Sequence, residues 1–215
     1  MSNAATIFSA WRDATSSTLD HLLALAAVLL LPALVLGWAG GALLVDSQSP
    51  GGWLLIRLGL DILLGPITLL LGLHIAHERT FFSPTPAVGL AVECLDRYWP
   101  AFKLYLAIAL IIHPLMGLFG IPGIGLAYLG LALLDPMRWL EGRGPLWGMK
   151  NSGMILLGAT PLILAASVAQ FGFGIWDLFA ISDSTAGMFA LDQMVRTLLA
   201  VWGWAIVMRL RRLTV

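Results

Sequence analysis

Charge is what this sequence has least of. Of 215 residues only 11% are Asp, Glu, Lys or Arg, against roughly 25% in a soluble domain. With 59% of its residues apolar, the chain reads as a membrane protein. Twelve basic and twelve acidic residues give a formal net charge of zero, which removes nucleic acid from the expected partners, because neutralising phosphates needs a basic face. The single cysteine, Cys94, excludes an internal disulfide and any Cys-rich metal site, and reads as a small packed residue. The glycine-rich stretches lack the strand, lysine and helix start of a phosphate loop. The serines have no His and Asp at offsets that suit a nucleophilic triad, so no catalytic residues and no cofactor are expected. Only Arg12 precedes the first apolar run, and that run is longer than the core of a secretory signal, so it reads as a retained span.

Six apolar runs follow one another, roughly Leu22 to Val45, Trp53 to Ala76, Ala101 to Phe119, Ile121 to Leu134, Met154 to Trp176 and Met188 to Met208. The fourth is short, about 21 Å of helix at 1.5 Å per residue. Pro136 disfavours helix at Asp135, and the preferred reading is a span that kinks there and continues to Leu140; a re-entrant hairpin with the third run is the alternative. Ten of the twelve basic residues fall in four segments. These hold Arg12; Arg79, Arg97 and Lys103; Arg138, Arg143 and Lys150; and Arg209, Arg211 and Arg212. The positive-inside rule therefore places those segments and both termini in the cytoplasm. The tryptophans agree with this orientation: Trp38, Trp53 and Trp176 near the outer boundary, and Trp11, Trp99, Trp139 and Trp147 near the inner one as interfacial anchors.

The cytoplasmic connections carry helix starts, since Thr85-Pro86 and Gly144-Pro145 each place an N-cap before a proline at the first helical position. Beyond the first, Val88, Val92, Leu95 and Trp99 share one face while Glu93, Asp96 and Arg97 fall elsewhere, the pattern of a helix lying in the interface. Ile7, Phe8 and Trp11 suggest the same for the N-terminal segment. The expected fold is thus all-α: a polytopic membrane protein of six transmembrane helices, arranged as three hairpins each preceded by a short interfacial helix. It forms a single domain, 1–215, with units 1–80, 81–141 and 142–215. Shifting the first unit by 81 positions matches Ala10, Leu23, Leu25, Ala26 and Leu29 to identical residues, a hint of an internal repeat.

Two charges interrupt the second run, Arg57 and Asp61, and two interrupt the last, Asp192 and Arg196, at the same spacing with the signs reversed. An unpaired charge near the bilayer centre costs roughly 2.5 to 3.5 kcal/mol, so partners are expected. If the second and sixth spans lie side by side, Arg57 faces Asp192 and Asp61 faces Arg196. Pairing within each helix at i, i+4 is the alternative. Such pairs serve either as a structural pin or as a polar site for an ion, proton or lipid headgroup. His74, His77 and Glu78 form an HxxHE cluster at the inner end of the second span. A metal site is the weaker reading, because the order differs from HExxH and no third ligand accompanies it; polar anchoring at the interface is preferred. His21 and His113 read as boundary residues. Gly65-Pro66 and Pro161 should kink their spans.

Four stretches carry a resemblance: Trp11-Arg-Asp-Ala-Thr15 with Val35-Leu-Gly37; Phe119-Gly-Ile-Pro-Gly-Ile124; the run from Leu133 through Met149-Lys-Asn-Ser152 to Pro161-Leu162; and Val207-Met-Arg-Leu-Arg211. In order and spacing the chain resembles the YciC-like bacterial inner-membrane proteins, a six-span family without an assigned activity, although its outer loop at Asp46 to Gly52 is much shorter than that family's. The resemblance implies a location in the bacterial inner membrane and brings no catalytic residues with it. The expected function is non-enzymatic, acting through contacts with membrane lipids, with other membrane proteins or with itself. The alternative is a small transporter or channel that uses the intramembrane Arg/Asp pairs. A third, weaker reading is a membrane enzyme acting on a lipid headgroup through His74, His77 and Glu78.

Overall fold

The structure is a computed structural model and describes residues 3–47, 50–77, 87–119, 157–158, 160 and 185–214. Apart from a turn residue at His21, every described residue is helical. The elements are α1 (Asn3–Asp20), α2 (Leu22–Leu25), a π-helical turn (Ala26–Leu30), α3 (Leu31–Ser47), α4 (Pro50–His77), α5 (Ala87–Phe119) and α6 (Thr185–Thr214). Leu22–Leu43 and Leu55–Ala76 are each long and apolar enough to cross a membrane. The fourth apolar run, nearly all of the fifth, and the connections between them lie outside the described residues.

Local chemistry explains where these helices break and where they do not. His21 sits in the bridge region, φ −96° and ψ 6°, and separates α1 from α2. The π turn lies immediately before Pro32, which has no N–H to offer the carbonyl of Val28 and whose ring crowds it, so the wider turn gives the backbone room. Pro50 opens α4 as a first-turn proline. Pro66 lies inside α4, yet the helix continues past it. Around it Thr68 Oγ1 donates to Gly65 O at 2.7 Å and Tyr98 of α5 donates to Leu63 O at 3.0 Å. Side chains thus supply hydrogen bonds where proline disturbs the backbone ladder.

α6 is the centre of the described bundle, packing on α3, α4 and α1, while α5 packs on α4. Leu64, Leu69, Leu71, Ile75, Leu90, Leu104, Ile206 and Leu210 fill the core. Gly37 and Gly41 of α3 face Ala190 and Ala186 of α6, and a Cβ on either glycine would stand 2.8 or 2.7 Å from the alanine Cα. Small residues four apart on both helices let the two backbones cross closely in opposite directions. α4 and α6 run in the same direction: Arg57 meets Asp192, Gly72 meets Val201 and Trp204, and Ile75 O meets Arg209.

The leading helix of the second unit is not a separate piece. Residues 87–119 form one uninterrupted helix, about 50 Å long. Pro100 and Pro114 both lie inside it, and each leaves the carbonyl four residues earlier, of Asp96 and of Leu110, without its helical N–H donor. The face carrying Val88, Val92, Leu95 and Trp99 is exposed, and the opposite face buries Leu90, Cys94, Ala101 and Leu104. α1, by contrast, is a distinct leading helix, set off by the break at His21.

Candidate functional site

The four charges singled out in the second and last apolar runs meet at the interface of α4 and α6. Arg57 and Asp61 are one helical turn apart on α4, as are Asp192 and Arg196 on α6, so each pair projects from one face of its helix. Asp192 is buried. Arg57 Nη2 donates to its Oδ2 across the helix interface. Arg196 Nε donates to the same carboxylate from within α6, 2.7 Å from Oδ1 and 2.8 Å from Oδ2. One carboxylate therefore holds two guanidinium groups, from a cross-helix and an i, i+4 partner together. The Arg57 guanidinium also lies over the ring of Phe189, 5.6 Å from its centroid, a cation–π contact. Asp61 lies one turn deeper along α4, where Gln193 Nε2 approaches its Oδ1 at 3.4 Å. Arg196, which the sequence sets level with Asp61, is engaged by Asp192.

The four charges sum to zero within one helix interface. Such a cluster is costly to desolvate but far costlier to break on one side, because a partner is then left charged and unmatched. Gln193 Oε1 and Arg57 Nε are both buried and have no hydrogen-bond partner among the described residues. One is an acceptor and the other a donor. No family model, no curated protein and no solved structure matches the chain. The chemistry of the site therefore rests on its own geometry.

A second polar knot ties the opposite ends of these helices. His74 of α4 turns Nδ1 to Glu93 Oε2 of α5 at 3.2 Å, and Arg97 approaches the other oxygen of Glu93 at 3.9 Å. His74 thus meets Glu93, a residue outside the His74, His77 and Glu78 grouping. Glu78 and the side chain of His77 lie outside the described residues, and no group of three His, Cys, Asp or Glu that could hold a metal ion occurs among the described ones. His21 is buried and stands immediately before the apolar stretch Leu22–Leu43. Its Nδ1 lies 2.7 Å from Ser17 O and its ring stands edge-on to His74, with centroids 6.1 Å apart. Arg209, also buried, donates Nη2 to Ser17 Oγ at 2.6 Å and to Ile75 O at 3.1 Å. It sits where α1 and α4 end, on carbonyl and hydroxyl groups at the negative ends of two helix dipoles.

The aromatic anchors divide. Trp99 is exposed and stacks on Phe102, with centroids 5.3 Å apart and planes 3° from parallel. Trp11 is half-buried, donates Nε1 to Gly158 O at 2.6 Å and meets Trp202 edge-on at 5.0 Å. Trp202 in turn donates to Thr15 Oγ1 at 3.1 Å. Trp11 therefore fastens α1 to the bundle. Trp139 and Trp147 lie outside the described residues, as does the side chain of His113. Burial first, and the neighbouring Glu93 second, push the Cys94 thiol from 9.0 up to about 11. Sequence reasoning passed over Glu93, Gln193 and Arg209 as site residues. A readable signal existed only for the close helix crossing, in the spacing Gly37-x-x-x-Gly41 and Ala186-x-x-x-Ala190.

Proposed function

We propose that this chain is a non-enzymatic, multi-pass protein of the bacterial inner membrane, YciC-like in kind, that acts through contacts with membrane lipids or with other membrane proteins, itself included. Six spans in three hairpins, with both termini in the cytoplasm, remain the arrangement that the run lengths and the placement of basic residues support. The observation that carries the reading is the buried carboxylate of Asp192 with both Arg57 and Arg196 on it. A charge so consumed works as a clasp between helices. Outward the described helices present apolar side chains, Val35 and Trp38 on α3, Leu55 and Leu63 on α4, and Val88, Val92, Leu95 and Trp99 on α5, the last set beside the exposed Asp96 and Arg97. These suit acyl chains and neighbouring apolar helices.

The test replaces the clasp by carbon. Arg57→Leu, Asp192→Leu and Arg196→Leu should each lower stability in detergent, whereas replacing all four charges together, Asp61→Leu included, should recover most of it. In proteoliposomes the wild type should show no ion or proton flux above that of empty vesicles. Photo-crosslinkers placed at Val92 or Trp99 in membranes should capture lipid or a membrane protein; their failure to capture either would sink the reading.

A small transporter or channel built on Arg57, Asp61, Asp192 and Arg196 is the second reading. The orphaned Gln193 Oε1 and Arg57 Nε favour it, since a donor and an acceptor left open in one buried cluster suit a polar guest. Flux through the wild type that vanishes in a well-folded variant lacking all four charges would establish it.

A further inference from the structure

The four charges between α4 and α6 balance, but their bonds do not. We propose that Arg57 and Arg196 together bind a phosphate oxyanion, with Asp192 serving to hold the two guanidinium groups side by side. The proposal rests on the reading of this chain as a membrane protein that works through lipid contacts, and gives one such contact its chemistry.

The imbalance lies in the donors. A guanidinium offers N–H groups on every one of its nitrogens and accepts nothing. On Asp192, Arg57 spends Nη2 and Arg196 spends Nε. Arg57 Nε is shielded from water and has no partner among the described residues. Nη1 of Arg57 and both Nη atoms of Arg196 have no partner among them either, and these atoms are not shielded. The side chains of Arg57 and Arg196 are 28% and 24% exposed, against 4% for Asp192. The carboxylate is closed in, and the cations reach outward with donors to spare.

The two cations are also set for one guest. Asp192 Oδ2 accepts from Arg57 Nη2 across the helix interface and from Arg196 Nε at 2.8 Å, so the guanidinium groups are neighbours on a single oxygen. The ring of Phe189 lies 5.6 Å from the Arg57 guanidinium and steadies it. Behind them α3 comes close enough that a Cβ on Gly37 would stand 3.1 Å from Gln193 Cβ. Two guanidinium groups on one carboxylate leave positive charge in surplus here, while Asp61 meets Gln193 one turn deeper along α4. An oxyanion that only accepts, and that carries several oxygens, can take N–H groups from both arginines at once. Phosphate has that form and is the usual partner of paired, charge-assisted arginine bonds.

The level of the site points to where such a phosphate comes from. Arg57 is the third residue of Leu55–Ala76, a stretch long and apolar enough to cross a membrane. Its Cα therefore stands about 3 Å inside that end at 1.5 Å per residue. An arginine side chain reaches farther than this and carries its charge to the headgroup layer. Basic sites between membrane helices bind anionic headgroups in the same way.

Native mass spectrometry of the full chain, released from a neutral detergent in phosphate-free buffer, tests the site by titration with dioctanoyl phosphatidylglycerol. The wild type should take up the lipid saturably. Arg57→Gln and Arg196→Gln should each weaken uptake about tenfold or more, as expected for loss of a charge-assisted contact, and Arg97→Gln on α5 should leave it unchanged. The variant with all four charges replaced by leucine should lose saturable uptake altogether. If these variants do not fold, Arg196→Lys answers: it keeps the charge and a donor for Asp192 but lacks the fork, and must still weaken uptake. Inorganic phosphate added against the bound lipid separates the sources, since displacement assigns the site to free oxyanions and its failure assigns it to a lipid headgroup. No saturable uptake by the wild type, or equal uptake by folded variants lacking these arginines, would overturn the site. Lipid captured at Val92 or Trp99 would then leave the broader reading standing, because those positions lie on α5, away from the cluster.

Discussion

Adding one methyl group at two glycines of the same helix should have opposite effects. Gly59 and Gly72 both lie in α4, so the helix-propensity gain on changing glycine to alanine, about 1 kcal/mol, is common to both. Their surroundings differ. A Cβ at Gly59 would meet nothing within 4 Å, whereas one at Gly72 would lie 2.3 Å from Trp204 Cβ and 2.9 Å from Val201 O. Ordinary carbon contacts lie at about 3.5 to 4.0 Å, so α4 and α6 must part by roughly 1 Å at that level. Two of the three nearest atoms are backbone, and no rotamer change clears them. Overpacking of this kind costs about 1 to 3 kcal/mol. Gly59→Ala should therefore match or exceed the wild type, and Gly72→Ala should fall about 1 to 3 kcal/mol below Gly59→Ala. The assay is thermal denaturation of detergent-solubilised protein, read by a fluorogenic maleimide on the buried Cys94. Equal midpoints for the two variants would refute the close approach of α4 and α6 at Gly72.

Asp192→Asn should destabilise by about 3 kcal/mol, because two guanidinium groups lose one shared carboxylate, and the same thermal assay would show it as the largest loss among the single changes in the cluster. Gly41→Leu should disrupt the crossing of α3 and α6, where the Ala186 Cα stands 2.7 Å from an added Cβ; cysteine crosslinking between these helices should then fail while it succeeds with Gly41 in place and in Gly59→Ala. The Cys94 thiol, raised from 9.0 to about 11, should hold a roughly hundredfold smaller thiolate fraction than an ordinary cysteine at any pH below 9. Its alkylation in the folded protein should be correspondingly slow and should climb with pH towards about 11; labelling at the rate of free cysteine would contradict its burial.

Much of the bundle was legible because lipid-scale apolar runs leave a plain trace. The runs from Leu22 and Trp53 emerge as helices, and the exposed stripe of Val88, Val92, Leu95 and Trp99 follows from helical periodicity alone. The start at Thr85-Pro86 did not reveal that residues 87–119 form one rod, because an N-cap marks where a helix begins and says nothing about where it ends. The charges at 57, 61, 192 and 196 were legible as a problem needing partners. The division of Asp192 between Arg57 and Arg196 was not, since cross-helix and i, i+4 pairing satisfy the same spacing. Arg209 was hidden by its company: among Arg211 and Arg212 it reads as one more cytoplasmic charge, and only the packing shows it placed on Ile75 O and Ser17. The packing of Trp11 was hidden for a similar reason, because an indole suits an interface and a buried carbonyl equally well.

The crossing of Gly37 and Gly41 with Ala186 and Ala190 joins residues about 150 positions apart. Early helices thus have their main mate in the latest described segment, and emerge from the ribosome well before it. At about 5 to 20 residues per second the wait lasts on the order of ten seconds. During that interval the glycine groove of α3 lies open to lipid, to a chaperone or to a neighbouring chain, so a stalled or slowed synthesis is the circumstance in which this protein is most exposed to mispairing.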